Sequence, residues 1–196
     1  MKEKRLFIAL PVKEEIYSGV GEVFSFFSKY KNDLKIVDKN NLHITLKFLG
    51  PTPEERAERI AHDFKDLIIG DIIAYKLKGL GGFPSLKSPS VLWAGIDCDM
   101  ALMKKIHSTI DSFCSSFAFE KEKRDFVPHL TLARVRKGIF LNSKLIEYIK
   151  SFEETLFCES FFDRVVLYES ILRPSGPEYK NIAEVFLGEN NGDTFR

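Results

Sequence analysis

Two short stretches carry the same pair of reactive side chains at the same spacing: His43 and Thr45 in LHITLKFLG, and His129 and Thr131 in VPHLTLAR. Side chains alternate across a strand, so in each stretch the His and Thr share one face while Ile44 and Leu46, or Leu130 and Leu132, pack on the other. An imidazole titrates near neutrality. Two of them can therefore hold one protonated and one neutral ring, as concerted general acid and general base catalysis requires. The threonine hydroxyls can donate to phosphate oxygens and to the charge that grows on them in the transition state. This set suits phosphodiester chemistry at a ribose, with one ring deprotonating the attacking oxygen and the other protonating the leaving one.

One H-x-T in a strand is ordinary packing. Repetition separates this pair from that reading. A shift of 86 residues carries His43 onto His129, Thr45 onto Thr131, and Leu6 and Phe7 onto Leu92 and Trp93, with no gap. A metal site is the competing use of two histidines, but zinc or iron would want three or four ligands. No Asp, Glu or Cys accompanies either tetrad at helpful spacing. No metal or cofactor is expected. His62 and His107 adjoin apolar helical stripes and read as exposed or structural residues.

The elements that must position these residues follow from periodicity. RLFIAL reads as a strand, and Ile16, Val20, Val23 and Phe27 predict a helix from Glu14 to about Tyr30. LKIV is a short strand before the first tetrad. Thr52 as N-cap, Pro53 and Glu55 read as a capping box that starts a second helix through Ala57, Ile60 and Phe64. IIAYKLKGL is a strand, and the Gly-, Pro- and Ser-rich stretch Gly81 to Ser90 is the natural connection between two halves. The second half repeats the order: the strand VLWAGID, a helix marked by Leu102, Ile106, Ile110, Phe113 and Phe117, the strand VPHLTLARV and the helix SKLIEYIKSFEE. Strands in LFCESFFDRVVLYES and EYKNIAEVFL close the chain.

At 196 residues and 44% apolar content the chain is long enough for a substantial core. Its basic opening is followed by an apolar run that stops at Pro11, too short for a secretory segment or a membrane span, so a cytoplasmic protein is expected. Cys98, Cys114 and Cys158 read as buried reduced thiols. Twenty-nine basic residues against twenty-eight acidic ones give no global field for long nucleic acids, so any such contact should be local. Nothing in the patterning demands a protein partner or a membrane, and a monomer is the default.

LHITLKFLG, FPSLKSPSVLWAGI, DFVPHLTLAR and LYESILRPSGPEYKNIAEVFL together resemble the two-histidine phosphoesterase superfamily. The nearest branch is the RNA 2′,3′-cyclic phosphodiesterase family, also called 2′-5′ RNA ligases. The resemblance implies an α+β fold of two pseudo-two-fold-related lobes, each an antiparallel sheet with helices on its outer face, and an active-site cleft between them. A single bilobal domain would span 1–188, with the internal repeat at about 5–80 and 91–168 and a polar tail over 189–196. The implied activity is metal-independent hydrolysis of a 2′,3′-cyclic phosphate, on RNA 3′ ends or small cyclic nucleotides, to a 2′-phosphate. His43 would be the proton donor and His129 the proton acceptor, with Thr45 and Thr131 holding the phosphate. The alternatives are 2′-5′ ligation of RNA halves by the same residues and a nucleotide-binding module without turnover. Arg134 matches the arginine that follows the second motif in the family and suits phosphate. Simple alternation puts it on the opposite face from His129 unless a bulge re-aims it. Lys47 has the parity of His43 and reads as an exposed strand lysine. Phe83 and Phe126 are candidates to stack a base.

Overall fold

The computed structural model describes residues 2–174 and 176–188; the polar tail expected over 189–196 lies outside them. In chain order the elements are β1 (Glu3–Pro11), α1 (Glu15–Gly19), α2 (Gly21–Phe27), β2 (Leu34–Ile36), β3 (His43–Pro53), α3 (Glu54–Phe64), β4 (Ile73–Phe83), β5 (Val91–Cys98), α4 (Met100–Ser116), β6 (His129–Val135), α5 (Ser143–Ser151), β7 (Leu156–Phe162), β8 (Arg164–Arg173) and β9 (Gly176–Phe186).

Two antiparallel sheets result, ordered β3-β1-β8-β9 and β2-β6-β5-β4-β7. The fold is α+β, and each tetrad strand lies beside the first strand of its own repeat: β3 on β1, β6 on β5. The halves interlock. β4 belongs to the second sheet, and α1 and α2, which follow β1, pack on β7 and β2 of that sheet. The helix that follows β5, α4, packs instead on β3 of the first sheet. α3 and α5 stay with their own sheets, α3 on β1, β3 and β9 and α5 on β4, so each sheet is covered by helices from both halves, which couples the two tetrads through one core.

That core follows the alternation read from the sequence. Leu6, Ile8 and Leu10 of β1, Ile44 and Leu46 of β3, and Leu130 and Leu132 of β6 are buried. They pack in one continuous cluster with Ile16, Val23, Phe27, Ile60, Phe64, Ile106 and Ile110 from the helices. Phe7 and Ala9 are buried too, because β1 is an interior strand whose other face is covered by Tyr168 and Tyr179, stacked and edge-on to Phe7 at 5.2 and 4.7 Å.

Three local expectations change. The first predicted helix is broken at Gly19–Val20, because the backbone at Gly19 presses against β7: a Cβ there would sit 3.2 Å from the Phe157 carbonyl oxygen and the Cys158 sulfur. Thr52 is not an N-cap. β3 runs on to Pro53, and Thr52 is buried opposite Lys4 with its hydroxyl donating to the Gly50 carbonyl. Only Gly81 to Phe83 of the glycine-rich stretch are strand, the end of β4, and its remainder is a hairpin loop to the neighbouring strand β5, with Phe83 opposite Val91.

A bulge in β4 between Lys78 and Leu80 places Gly79 at φ +74°, where an added Cβ would meet the Glu153 carbonyl oxygen of the α5–β7 turn. Gly79→Ala should cost about 2 kcal/mol or more, seen as a lower urea midpoint at unchanged slope. An unchanged midpoint would contradict this backbone geometry.

Candidate active site

The tetrads are placed by two matching bulges. In the β1–β3 pair Ala9 faces Thr45 and Ile8 faces Lys47, leaving Leu46 unopposed. In the β5–β6 pair Trp93 faces Thr131 and Leu92 faces Ala133, leaving Leu132 unopposed. A bulge sends two consecutive residues to the same side and reverses the parity of everything after it. Leu46 and Lys47 are accordingly both buried, as are Leu132 and Ala133. The following residues, Phe48 and Arg134, emerge on the histidine face and are exposed.

Arg134 thus stands on the face that simple alternation denied it. Lys47 loses the place expected of it: it is buried at 7% exposure rather than lying on the strand surface. Its ammonium pairs with the Asp111 carboxylate of α4 and donates to the Glu120 carbonyl at 2.6 Å.

His43 and His129 are half-buried and held alike. Nδ1 of His43 lies 2.7 Å from the Asn41 carbonyl oxygen, and Nδ1 of His129 lies 2.8 Å from that of Val127, two residues upstream in each case. A carbonyl only accepts, so each Nδ1 carries the proton and each Nε2 is the free nitrogen. Aromatic edges fix the rings: Tyr179 lies T-shaped to His43 at 5.4 Å, and Phe83 T-shaped to His129 at 4.9 Å. Thr45 and Thr131 are half-buried on the same strand faces, opposite Ala9 and Trp93.

Two chambers open between the sheets. One, of about 720 Å³, is lined by Thr45, Phe48, Phe83, His107, Phe126 and His129 among others. The other, of about 570 Å³, is lined by Lys35, Asn41, Arg134, Arg173 and Tyr179 among others. β6 contributes to both, His129 to the first and Arg134 to the second. β3 lines the first from Thr45 to Phe48 and packs beside β6, and His43 lies near enough to His129 and Arg134 to feel both, so the tetrads face one cleft with an aromatic end and a basic end.

Burial pushes the His43 imidazole down to about 4; the Asn41 carbonyl opposes this, and Arg134 and His129 add to it. His129 is also lowered, by burial first and then by Arg134, against the pull of the Val127 carbonyl. The expectation of one charged and one neutral ring at unperturbed values changes accordingly: the protein environment favours the neutral form of both rings, and a nearby anion works the other way, raising their affinity for a proton taken from solvent. Among the described residues, no group of three or more His, Cys, Asp or Glu side chains is placed to hold a metal ion.

Sequence reasoning missed Phe48, His107 and the Lys47–Asp111 pair. Phe48 was findable, since the same shift of 86 residues pairs it with Arg134. His107 lies stacked on Phe126 at 4.2 Å, on the cleft wall rather than in a purely structural place. His62 stays exposed beside Asp63, away from the site.

A sequence profile of the 2′-5′ RNA ligase superfamily matches residues 23–170. The chain belongs to that superfamily. Within it, the chain is similar to a Methanocaldococcus jannaschii protein named RNA 2′,3′-cyclic phosphodiesterase, 38% identical over 92% of this chain and 99% of the relative. A Thermotoga maritima protein of the same name is 34% identical over 92% and 94%. The superfamily fold recurs in the crystal structure of E. coli LigT complexed with 3′-AMP, with a TM-score of 0.73, 20% identity, and 96% of this chain and 100% of that one covered. Among the described residues, no helix of this superfamily member is long and apolar enough to cross a membrane.

Proposed function

We propose that this chain is a metal-independent RNA 2′,3′-cyclic phosphodiesterase that opens a terminal cyclic phosphate to a 2′-phosphate. The observation that carries this reading is the pair of imidazoles across one cleft, each with Nδ1 tied to a carbonyl and Nε2 free. The names of the similar M. jannaschii and T. maritima proteins support the substrate.

In the proposed step the cyclic phosphate sits between the rings, with Thr45, Thr131 and Arg134 donating to its non-bridging oxygens. His129 Nε2 takes a proton from water as the water oxygen bonds to phosphorus. The P–O3′ bond breaks, and His43 Nε2 gives its proton to O3′, leaving a 3′-hydroxyl and a 2′-phosphate. Proton exchange with solvent resets the pair. His43 is the more strongly depressed ring, so it acts as the donor only after the substrate's negative charge has raised its affinity for a proton. Phe48, Phe83 and Phe126 supply aromatic faces for the terminal base. Three free thiols, Cys98, Cys114 and Cys158, suit a reducing compartment such as the cytoplasm.

Incubation with an oligoribonucleotide ending in 2′,3′-cyclic phosphate, in excess EDTA, tests this. A 2′-phosphate product is expected. A 3′-phosphate product, or loss of activity on chelation, would overturn the scheme.

The ring environments also set the pH dependence. kcat/KM follows the free enzyme, in which one ring must be protonated and the other neutral. Both rings are lowered, so the needed proton is already being lost below about pH 6.5, and the bell for kcat/KM is centred on the acid side of that value. In the complex the bound anion raises both rings, moving the bell for kcat toward neutrality. A kcat/KM optimum above about pH 8 would contradict the assignment.

A further inference from the structure

The basic end of the cleft carries an arrangement that folding alone does not favour. Lys35 of β2 and Arg134 of β6 are direct partners in the antiparallel ladder, so their side chains rise from the same face of the sheet. Both line the 570 Å³ chamber. Like charges set opposite each other in a ladder are destabilising. Neither cation has an ion-pair partner among the described residues, whereas the third, Arg173, is paired with Glu178 at 3.0 Å.

The pair also breaks the internal symmetry. β2 flanks β6, but no strand flanks β3, which is the edge of its sheet. At the position matching Arg134 the first repeat has Phe48, in the aromatic chamber. The cleft therefore has a direction: aromatic on one side of the histidine pair, doubly cationic on the other.

We propose that Lys35 and Arg134 form a subsite for a second phosphate, the phosphodiester that joins the terminal nucleotide to the one before it. This rests on the phosphodiesterase reading and deepens it: the substrate class is an oligoribonucleotide end, and a nucleoside 2′,3′-cyclic phosphate fills only part of the site. Arg134 faces both phosphates. Lys35, one strand further out, faces the second alone. Two cations held side by side gain from an anion between them what they lose by mutual repulsion, and because Arg134 is close enough to both imidazoles to lower them, the anion it shares with Lys35 is the phosphate next to the scissile one.

The test compares a dinucleotide with a mononucleotide, both ending in 2′,3′-cyclic phosphate, on the wild-type protein and on Lys35→Gln. The wild type should favour the dinucleotide in kcat/KM by about tenfold or more, as expected for a charge-assisted contact. That ratio should shrink about two- to threefold between 50 and 200 mM salt and fall toward unity in Lys35→Gln. Lys35 is exposed, and removing it relieves repulsion, so the variant's urea midpoint should hold or rise. Equal kcat/KM for the two substrates, or a ratio untouched by Lys35→Gln, overturns the subsite. If neither substrate is opened, the phosphodiesterase reading falls and binding decides the subsite. Calorimetry with a dinucleotide and a nucleoside, each ending in 2′-phosphate, then supports it by a dinucleotide preference lost in Lys35→Gln, and refutes it by equal affinities.

Discussion

His43→Ala and His129→Ala are each expected to lower kcat by on the order of 10²–10⁴-fold, the usual contribution of a positioned general acid or base. KM should move far less, because Thr45, Thr131 and Arg134 remain to hold the phosphate. The double variant should be little worse than the poorer single one, since the two rings act as a unit and neither transfer proceeds alone. Folding is not the cause: both rings are half-buried with depressed proton affinities, so the native state gains nothing from charging them. Urea midpoints lowered only modestly, by the lost Nδ1–carbonyl bond and ring contacts, together with lost turnover are the expected pattern. Near-wild-type kcat in either variant contradicts a two-histidine reaction.

The second large effect lies away from the phosphate. Asp111→Ala should cost about 3–5 kcal/mol, because it strands the Lys47 ammonium in the interior. Both side chains are largely withdrawn from water, at 6% exposure for Lys47 and 13% for Asp111. Burial works to raise the Asp111 carboxyl, but Lys47 and the Glu122 amide more than offset it and hold the group below its ordinary value. Replacing both partners, as in Lys47→Met with Asp111→Leu, should recover most of the stability, because the loss comes from the orphaned charge.

Recovered stability should not bring full activity. The pair ties β3, which carries His43, to α4 and to the segment entering β6: Lys47 donates to the Glu120 carbonyl, and the Glu122 amide donates to Asp111 at 3.2 Å. That segment ends in Val127, whose carbonyl orients His129. A stable double variant with reduced kcat is the expected outcome. A double variant as unstable as Asp111→Ala would contradict the orphaned-charge account.

The tetrads, the repeat and nearly every strand and helix were legible in the sequence, because those features rest on period-2 and helical hydrophobic patterns that the core enforces. The faces of Lys47, Phe48 and Arg134 were not, because each lies just past a bulge, and one inserted residue reverses parity without leaving a mark in the pattern. Thr52 was misread for a related reason. A Thr-Pro-x-Glu string signals a helix start, but pairing with β1 carried the strand through it. The exchange of helices between sheets was equally hidden, since α2 and α4 show the same apolar stripe whichever sheet they cover. The depressed imidazoles belong to the folded state alone: composition places a histidine near 6.5, and only burial beside Arg134 lowers it.

The central claim is that His43 and His129 reach one phosphate. It is tested most directly by 15N NMR of the imidazole rings during titration with a nucleoside 2′-phosphate, the proposed product. Both Nε2 resonances should respond with the same dissociation constant, and both rings should titrate at higher pH when the phosphate is bound. Response of one ring alone, or of the two with different dissociation constants, would contradict a shared phosphate.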